Sequence, residues 1–196
     1  MSRFHPKIDN QVPSDVYGKR LERMYPVRLQ VSADKAVAQN LTGVLTATAL
    51  TAATQDITAG ITSPAFPRSL RITGNASGIA GNVVIEGTNY AGEVISETIA
   101  LNGSTAVEGN KAFRTVTKIN LPARTNASGD TVSVGWGNKL GLPYRLPHNT
   151  VQMAFRNNAK EGTAPTVTTS ETALESNTVL LNSALNGTAV DVYLFV

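Results

Sequence analysis

The chain has no cysteine, and only two of its 196 residues are histidines. Without cysteine it can form no disulfide, no catalytic thiolate and no cysteine-ligated metal site. His5 and His148 stand far apart in the sequence, and neither lies near a second metal ligand at a typical spacing or a G-x-S-x-G serine motif. We interpret both histidines as loop or surface residues. The lack of cysteine also fits assembly in a reducing cytoplasm.

Aromatic and charged residues are scarce as well. Aromatic residues make up 6% of the chain and charged residues 16%, below the usual quarter, whereas hydrophobic residues at 41% suffice for a core. A surface with so few charges is typical of a protein that covers much of itself with neighbours. No apolar run reaches the roughly 18 residues that span a bilayer. The polar first ten residues lack the pattern of a signal peptide, so we expect no membrane partner.

No motif predicts a catalytic, cofactor or metal site. The stretch GWGNKLG, residues 135–141, superficially resembles a phosphate-binding loop, but it lacks the G-x-G-x-x-G spacing and Pro143 blocks the helix that should follow. We therefore predict a turn there. Four glutamates that could form a catalytic pair fall on predicted exposed faces or turns: Glu86, Glu93, Glu97 and Glu108. We expect no enzyme activity, no cofactor, no metal and no small-molecule substrate.

The segment from Ile61 to Leu121 predicts short strands separated by turns. Residues 68–73 alternate, with Leu70 and Ile72 on one face, which is typical of a half-buried strand. Val83 and Ile85 also share an inward face. The run 94–101 is less regular because Glu97 shares the face of Ile95 and Ile99, and a bulge or an edge position would explain this charge.

The end of this segment carries the strongest turn signal in the chain. Asn102-Gly103 predicts a hairpin. In the following strand, Phe113, Ile119 and Leu121 are expected to share a face with Thr115 and Thr117. The segment as a whole is typical of an antiparallel meander or Greek key.

Further strands are predicted on both sides of this segment. They are residues 41–50, 56–61, 131–136, 150–156, 165–169 and 189–196. A helix through 46–53 is the alternative for the first of them, and GNKLGLPYRLPHNT is predicted to be a loop. Asn186-Gly187 predicts a second hairpin. Because the last strand is apolar on both sides, we expect it to be central in a sheet or packed against another subunit.

The regular turn signals predict an all-β fold. We expect an antiparallel β-sandwich or barrel, jelly-roll or immunoglobulin-like, with an extended N-terminal arm. We divide the chain into that arm (residues 1–30), an Ala/Thr-rich connecting segment with short strands (31–60) and a β-sandwich body (61–196).

The first thirty residues differ from the rest in charge. Residues 1–28 hold six basic and three acidic residues, an excess that equals the net charge of +3 of the whole chain. Residues 15–23 could form two helical turns capped by Ser14, although three prolines prevent a longer helix. The large apolar residues favour an arm that lies on a partner subunit over a frayed tail. Nucleic-acid binding is not expected, because there is no dense Lys/Arg run.

The body and the C-terminus resemble structural proteins of tailed-bacteriophage and prophage virions. The resemblance covers roughly residues 58–146 and the C-terminus, over half of the chain. The stretches that carry it are ITSPAFPRSLRITGNASGIAGNVVIEGTNYAGEVISETIALNGSTAVEGNKAFRTVTKINLP, DTVSVGWGNKLGLPYRL and NGTAVDVYLFV. It implies a head decoration (cement) or auxiliary capsid protein, which is usually a symmetric oligomer.

On this resemblance we expect a homotrimer in the virion, on the outer capsid surface, that clamps subunits of the major capsid protein. It would be assembled in the host cytoplasm. The arm would supply the anchors, since Tyr and Arg are enriched at interface hot spots. The expected partner-binding residues are Phe4, Tyr17, Arg20, Arg23 and Tyr25. The alternatives are a tail, baseplate or fibre protein and, less favoured, a host-surface or carbohydrate-binding module.

Overall fold

The computed structural model describes residues 24–196 and, before them, the backbone of strands 11–13 and 20–22. Numbered in chain order, the strands are β1 Gln11–Pro13, β2 Arg20–Glu22, β3 Pro26–Val31, β4 Asn40–Ala49, β5 Gln55–Ile57, β6 Arg68–Gly74, β7 Asn82–Thr88, β8 Val94–Ala100, β9 Val107–Phe113, β10 Thr115–Leu121, β11 Thr131–Gly141, β12 Val151–Arg156, β13 Ala159–Lys160, β14 Thr166–Thr168, β15 Thr178–Leu180 and β16 Val190–Phe195. A 3-10 helix at Leu174–Ser176 precedes β15. The predicted all-β fold is confirmed.

The described strands form antiparallel sheets. β1 and β2 pair with each other, β5-β10-β7-β8 form one sheet, and β14-β15-β11-β6-β9 form another, in which β4 also pairs with β11. The last sheet has the order β13-β12-β16-β3. The central place of β16 agrees with its apolar residues on both faces.

The sheets enclose two hydrophobic cores. The first lies between the β5-β10-β7-β8 sheet and strands β4, β6, β9 and β11, and includes Ile72, Ile85 and Val134. The second lies under β3, β12 and β16 and includes Leu140 and Val192. Because β11 contributes residues to both cores, it joins the two halves of the molecule. This arrangement is consistent with the predicted β-sandwich or barrel.

Strand β11 is longer than predicted. The stretch GWGNKLG is not a turn, and GNKLG is not the start of a loop, because β11 continues to Gly141. Its pairing with β6 shifts between Trp136 and Leu140, so a β-bulge accommodates residues 137–139. Gly135 is needed because β4 lies so close that a Cβ atom there would collide with the carbonyl oxygen of Asn40.

Neither of the two Asn-Gly pairs forms a hairpin, and only Asn102-Gly103 forms a hydrogen-bonded turn. Gly103 has a φ of 57°, and the Thr105 amide donates to the Asn102 carbonyl at 3.0 Å. However, β8 pairs with β7 whereas β9 pairs with β6, so the chain crosses from one sheet to the other at this turn. Asn186-Gly187 likewise leads from β15 into a strand of a different sheet. Asn102-Gly103 fixes a local turn, and the burial of apolar faces decides which strands pair.

Strand β10 departs from the predicted alternation. Thr117 is exposed, whereas Val116 and Ile119 are buried. The reason is a shift in the pairing of β10 with β7 between Val116 and Lys118, where a bulge reverses the inward face.

The segments before residue 61 are strands where they are described. β4 replaces the alternative helix through 46–53, and β5 is shorter than the predicted strand 56–61. Residues 20–22 form a strand, so the predicted helix over 15–23 is wrong at its end, while residues 14–19 and 23 lie outside the described residues. The expected arm boundary at residue 30 falls inside β3, which pairs with β16 over its whole length.

Candidate partner-binding face

The outward side of the β13-β12-β16-β3 sheet carries large apolar and aromatic side chains. In β16, Val190, Val192 and Leu194 are buried in the second core. The alternation of a strand therefore turns Tyr193 and Phe195 to the opposite side. We define the aromatic face as Arg28, Met153, Phe155, Tyr193 and Phe195.

Register and ring contacts hold this face together. Tyr193 lies opposite Met153 of β12 on one side and opposite Arg28 of β3 on the other. The rings of Phe155 and Tyr193 meet edge to face, with centroids 5.6 Å apart and planes at 75°. The pairing of the strands and the ring contact therefore fix the positions of these side chains.

One ion pair crosses the aromatic face. The Arg28 Nε donates to Oδ1 of Asp191 at 2.9 Å, and the Arg28 side chain remains 46% exposed. The hydrogen bond to Asp191 raises the pKa of Arg28. Because Asp191 holds one side of the guanidinium, the remaining N–H groups are available to a partner.

Two hollows flank the aromatic face. One of about 290 Å³ is lined by residues of β3, β12 and β16, among them Pro26, Met153 and Tyr193. Another of about 370 Å³ lies at the end of the sheet and is lined by Met24, Tyr144, Arg145, Leu146, Pro147, His148, Thr150, Phe195 and Val196. Five of the seven exposed large hydrophobic side chains in residues 24–196 belong to this region: Met24, Tyr25, Met153, Tyr193 and Val196.

Of the arm residues expected to bind a partner, only Tyr25 has a described side chain. Tyr25 is 49% exposed, and its backbone exchanges hydrogen bonds of 2.8 and 3.0 Å with Val196. Arg20 belongs to β2, for which only the backbone is described. Phe4, Tyr17 and Arg23 lie outside the described residues. The aromatic face itself was not predicted, although the apolar residues on both sides of β16 indicated it.

A polar cluster occupies the place where the sequence resembled a phosphate loop. Oε1 of Glu108 accepts the Asn138 amide at 3.0 Å and the Ser69 hydroxyl at 2.5 Å. The bulge amide of Asn138 is therefore bound by a carboxylate of the chain itself.

The guanidinium of Arg68 completes this cluster. Arg68 is only 1% exposed and donates to the carbonyl oxygens of Val37 and Gly137. Burial lowers its pKa to about 10, and the nearby Glu108 opposes this effect. The cluster thus stabilises the bulge of β11, and Glu108 has a structural role.

The other glutamates considered for catalysis also have structural partners. Glu97 lies on the edge strand β8, as one of the two explanations predicted, and accepts the backbone amides of Asn110 and Lys111 at 2.6 and 3.3 Å. It thereby links β8 to β9, the edge of the facing sheet, and burial raises its pKa. Glu86 pairs with Lys118 at 2.7 Å and Glu93 with Arg145 at 2.9 Å.

A further cavity lies beside the end of β3 and the segment that precedes β6. Its volume is about 560 Å³, and its lining residues are Gln30, Ser32, Lys35, Pro64, Ala65, Phe66, Pro67, Tyr90, Arg114 and Thr115. We call it the edge cavity, because Gln30 lies near the end of the edge strand β3 and Ser32 directly follows that strand. Its charged lining residues are the cations Lys35 and Arg114.

Within the described residues, no three His, Asp or Glu side chains are placed to hold a metal ion, and no helix is long and apolar enough to cross a membrane. Comparison of the chain with protein-family models, curated proteins and solved structures finds no match.

Proposed function

We propose that this chain is a structural protein of a tailed-phage virion, of the head decoration or auxiliary capsid type. It binds the major capsid protein on the outer surface of the head and stabilises the capsid lattice. The observation that carries the proposal is the aromatic face, a pre-positioned surface of Tyr, Phe, Met and Arg on an otherwise weakly charged β protein.

The composition of the aromatic face favours protein binding. Tyr, Phe, Met and Arg are enriched at the centres of protein interfaces, and Tyr and Arg are frequent hot spots. Contiguous exposed apolar surface is uncommon on proteins that remain alone in solution. A large aromatic side chain with two rotatable bonds also loses little conformational entropy on binding.

The N-terminal residues extend this interface. Met24 and Tyr25 lie beside the aromatic face. Residues 1–23, which precede them in the sequence, hold most of the excess positive charge of the chain. Once one of two linked surfaces has bound, the other is held at a high effective concentration near its own binding site. An arm and a face together therefore bind more tightly than either one alone. In a homotrimer the same pair of contacts would be repeated around the symmetry axis.

Immunogold labelling of intact phage particles, with antibody against this protein, tests the proposal. Label distributed over the heads is the expected result. Label confined to tails or tail tips would contradict a head decoration role and favour the tail, baseplate or fibre alternative. Particles labelled with pre-immune serum provide the background.

A further inference from the structure

The outer edge of β3 is open within the described part of the chain. Tyr25 and Val196 exchange both backbone hydrogen bonds, and the register continues from Pro26↔Phe195 to Val31↔Val190. In an antiparallel pair, such doubly bonded residues alternate with residues whose N–H and C=O groups point away. The backbone groups of Arg28 and Gln30 therefore point away from β16, and no described strand pairs with β3 on that side.

The edge cavity lies at the end of this open edge. Gln30 and Ser32 line it from the β3 side, and Lys35 follows one turn later, where its amide donates to the Ser32 carbonyl at 3.0 Å. From the other half of the molecule, Arg114 lines the cavity and donates to the Tyr90 carbonyl at 3.4 Å. An added strand that ran along β3 would thus reach two cations.

Apart from Thr115, the remaining lining residues of the cavity are prolines, an alanine and aromatic residues. Phe66 and Tyr90 meet edge to face with centroids 6.0 Å apart, and Pro64 and Pro67 flank them. None of the lining residues is acidic. The nearby Asp34 is not a lining residue, and a hydrogen bond to Ser32 together with the charge of Lys35 lowers the pKa of its carboxyl. The cavity therefore suits a carboxylate on a chain that also carries apolar groups.

We propose that an extended segment of a partner protein adds to β3 as a further strand and places a carboxylate between Lys35 and Arg114. Its backbone bonds to Arg28 and Gln30, as in other cases of strand addition to an exposed edge. This inference rests on the proposed function only in taking the partner to be a protein. It names the chemistry of the partner segment, an acidic residue at the end of a β-strand.

A protein segment fits these observations better than the other occupants do. A small acid would use the cavity and leave the adjoining backbone edge unused. A nucleic acid would need a wider basic surface, and the cavity offers two cations beside an apolar wall. A second copy of the chain would be recognised by a change in the oligomeric state.

Fluorescence anisotropy of the full chain with labelled peptides tests the proposal. The probe is the peptide STVTVSEEG, which combines strand propensity with a terminal acidic pair, and the control peptide is STVTVSQQG. We expect the acidic peptide to bind about tenfold more tightly, since charge-assisted hydrogen bonds are the stronger ones. Equal binding of the two peptides, or binding of neither, would overturn the proposal.

Two sets of variants separate the edge from the cavity. Gln30→Pro removes an outward N–H without removing a bond to β16. It should therefore weaken the binding of the acidic peptide about tenfold, whereas Gln30→Val should leave this binding unchanged. Lys35→Gln combined with Arg114→Gln should reduce the affinity for STVTVSEEG to that for STVTVSQQG. Unchanged binding by both the Pro variant and the double Gln variant would contradict the proposal.

Analytical ultracentrifugation tests whether a second copy of the chain occupies the β3 edge. A concentration-dependent oligomer that Gln30→Pro dissociates would overturn the proposal and assign the β3 edge to a second copy of the chain. An unchanged oligomeric state would support it. Since the peptides need no virion, these results are independent of whether the protein is found on phage heads.

Discussion

The two outward-facing sheets of this protein differ in the side chains that they expose. On the β5-β10-β7-β8 sheet, outward residues include Glu86, which pairs with Lys118, and Ser96 beside it. On the β13-β12-β16-β3 sheet, the corresponding positions hold Tyr193 and Met153. Both sheets cover a core on their inner side, so core formation does not explain the difference. A polar outer face suits water, and an aromatic outer face suits a partner.

The cores beneath the two sheets are coupled through β11. Phe113 is fully buried in the first core, and Phe113→Ala should lower the free energy of unfolding by about 3–5 kcal/mol. Because β11 belongs to both cores, the fluorescence of Trp136 near the first and the hydrogen exchange of the Val192 amide in the second should report the same loss. A loss confined to Trp136 would mean that the two regions unfold separately.

Two truncations of different length test whether β3 is needed for the stability of the body. Removing residues 1–23 should leave the body folded and weaken capsid binding, whereas removing residues 1–30 also deletes most of β3, including the buried Leu29. The longer truncation should cost about 2–5 kcal/mol of stability, the usual range for losing one buried leucine. Urea unfolding of the two truncated chains measures this. Equal stability would show that β3 belongs to the arm after all.

The polar cluster around Glu108 and the ion pair of Glu86 with Lys118 should differ in their contribution to stability. Glu108→Ala removes the acceptor of the β11 bulge and leaves the buried Arg68 without its nearby carboxylate, which should cost about 3 kcal/mol. Glu86→Ala breaks a solvent-exposed pair with Lys118 and should cost under about 1 kcal/mol. Chemical denaturation of the two variants makes the comparison, and similar losses would contradict it.

The smallest expected effect is a dependence of stability on pH. Burial raises the pKa of Glu97, so the folded state holds this proton more tightly than the unfolded state. The resulting stability is fully present below the unfolded pKa and is lost as the pH rises through the folded pKa. The unfolding free energy of the native chain minus that of Glu97→Gln should therefore decrease from pH 4 to pH 7. An increase of this difference with pH would mean that folding lowers the pKa of Glu97.

Much of the fold follows from local periodicity. The inward faces of β6 and β7 were predicted from alternation alone, because each of these strands buries a row of alternating apolar side chains. The extension of β11 was not, because the glycines of GWGNKLG resemble a turn unless the close approach of β4 is known. The hairpins predicted at the Asn-Gly dipeptides were wrong, because distant residues decide with which strand the next strand pairs.

The candidate site was less accessible to sequence reasoning. The aromatic face combines β12 and β16 with β3, which lies more than a hundred residues earlier in the chain. The edge cavity likewise brings together Lys35 and Arg114, which lie far apart in the sequence. A pattern along one strand shows which residues share its face, but it does not show which other strands complete the surface.

The most direct test of the central claim is co-sedimentation of the purified protein with phage heads that lack it. Tyr193→Ser changes the aromatic face, and Val94→Ser removes the 86% exposed valine of the other outer sheet as a matched control. We predict at least about tenfold weaker binding for Tyr193→Ser, as for a typical hot-spot residue, and unchanged binding for Val94→Ser. Equal binding by both variants, or a loss caused only by Val94→Ser, would contradict the proposal that the aromatic face binds the capsid.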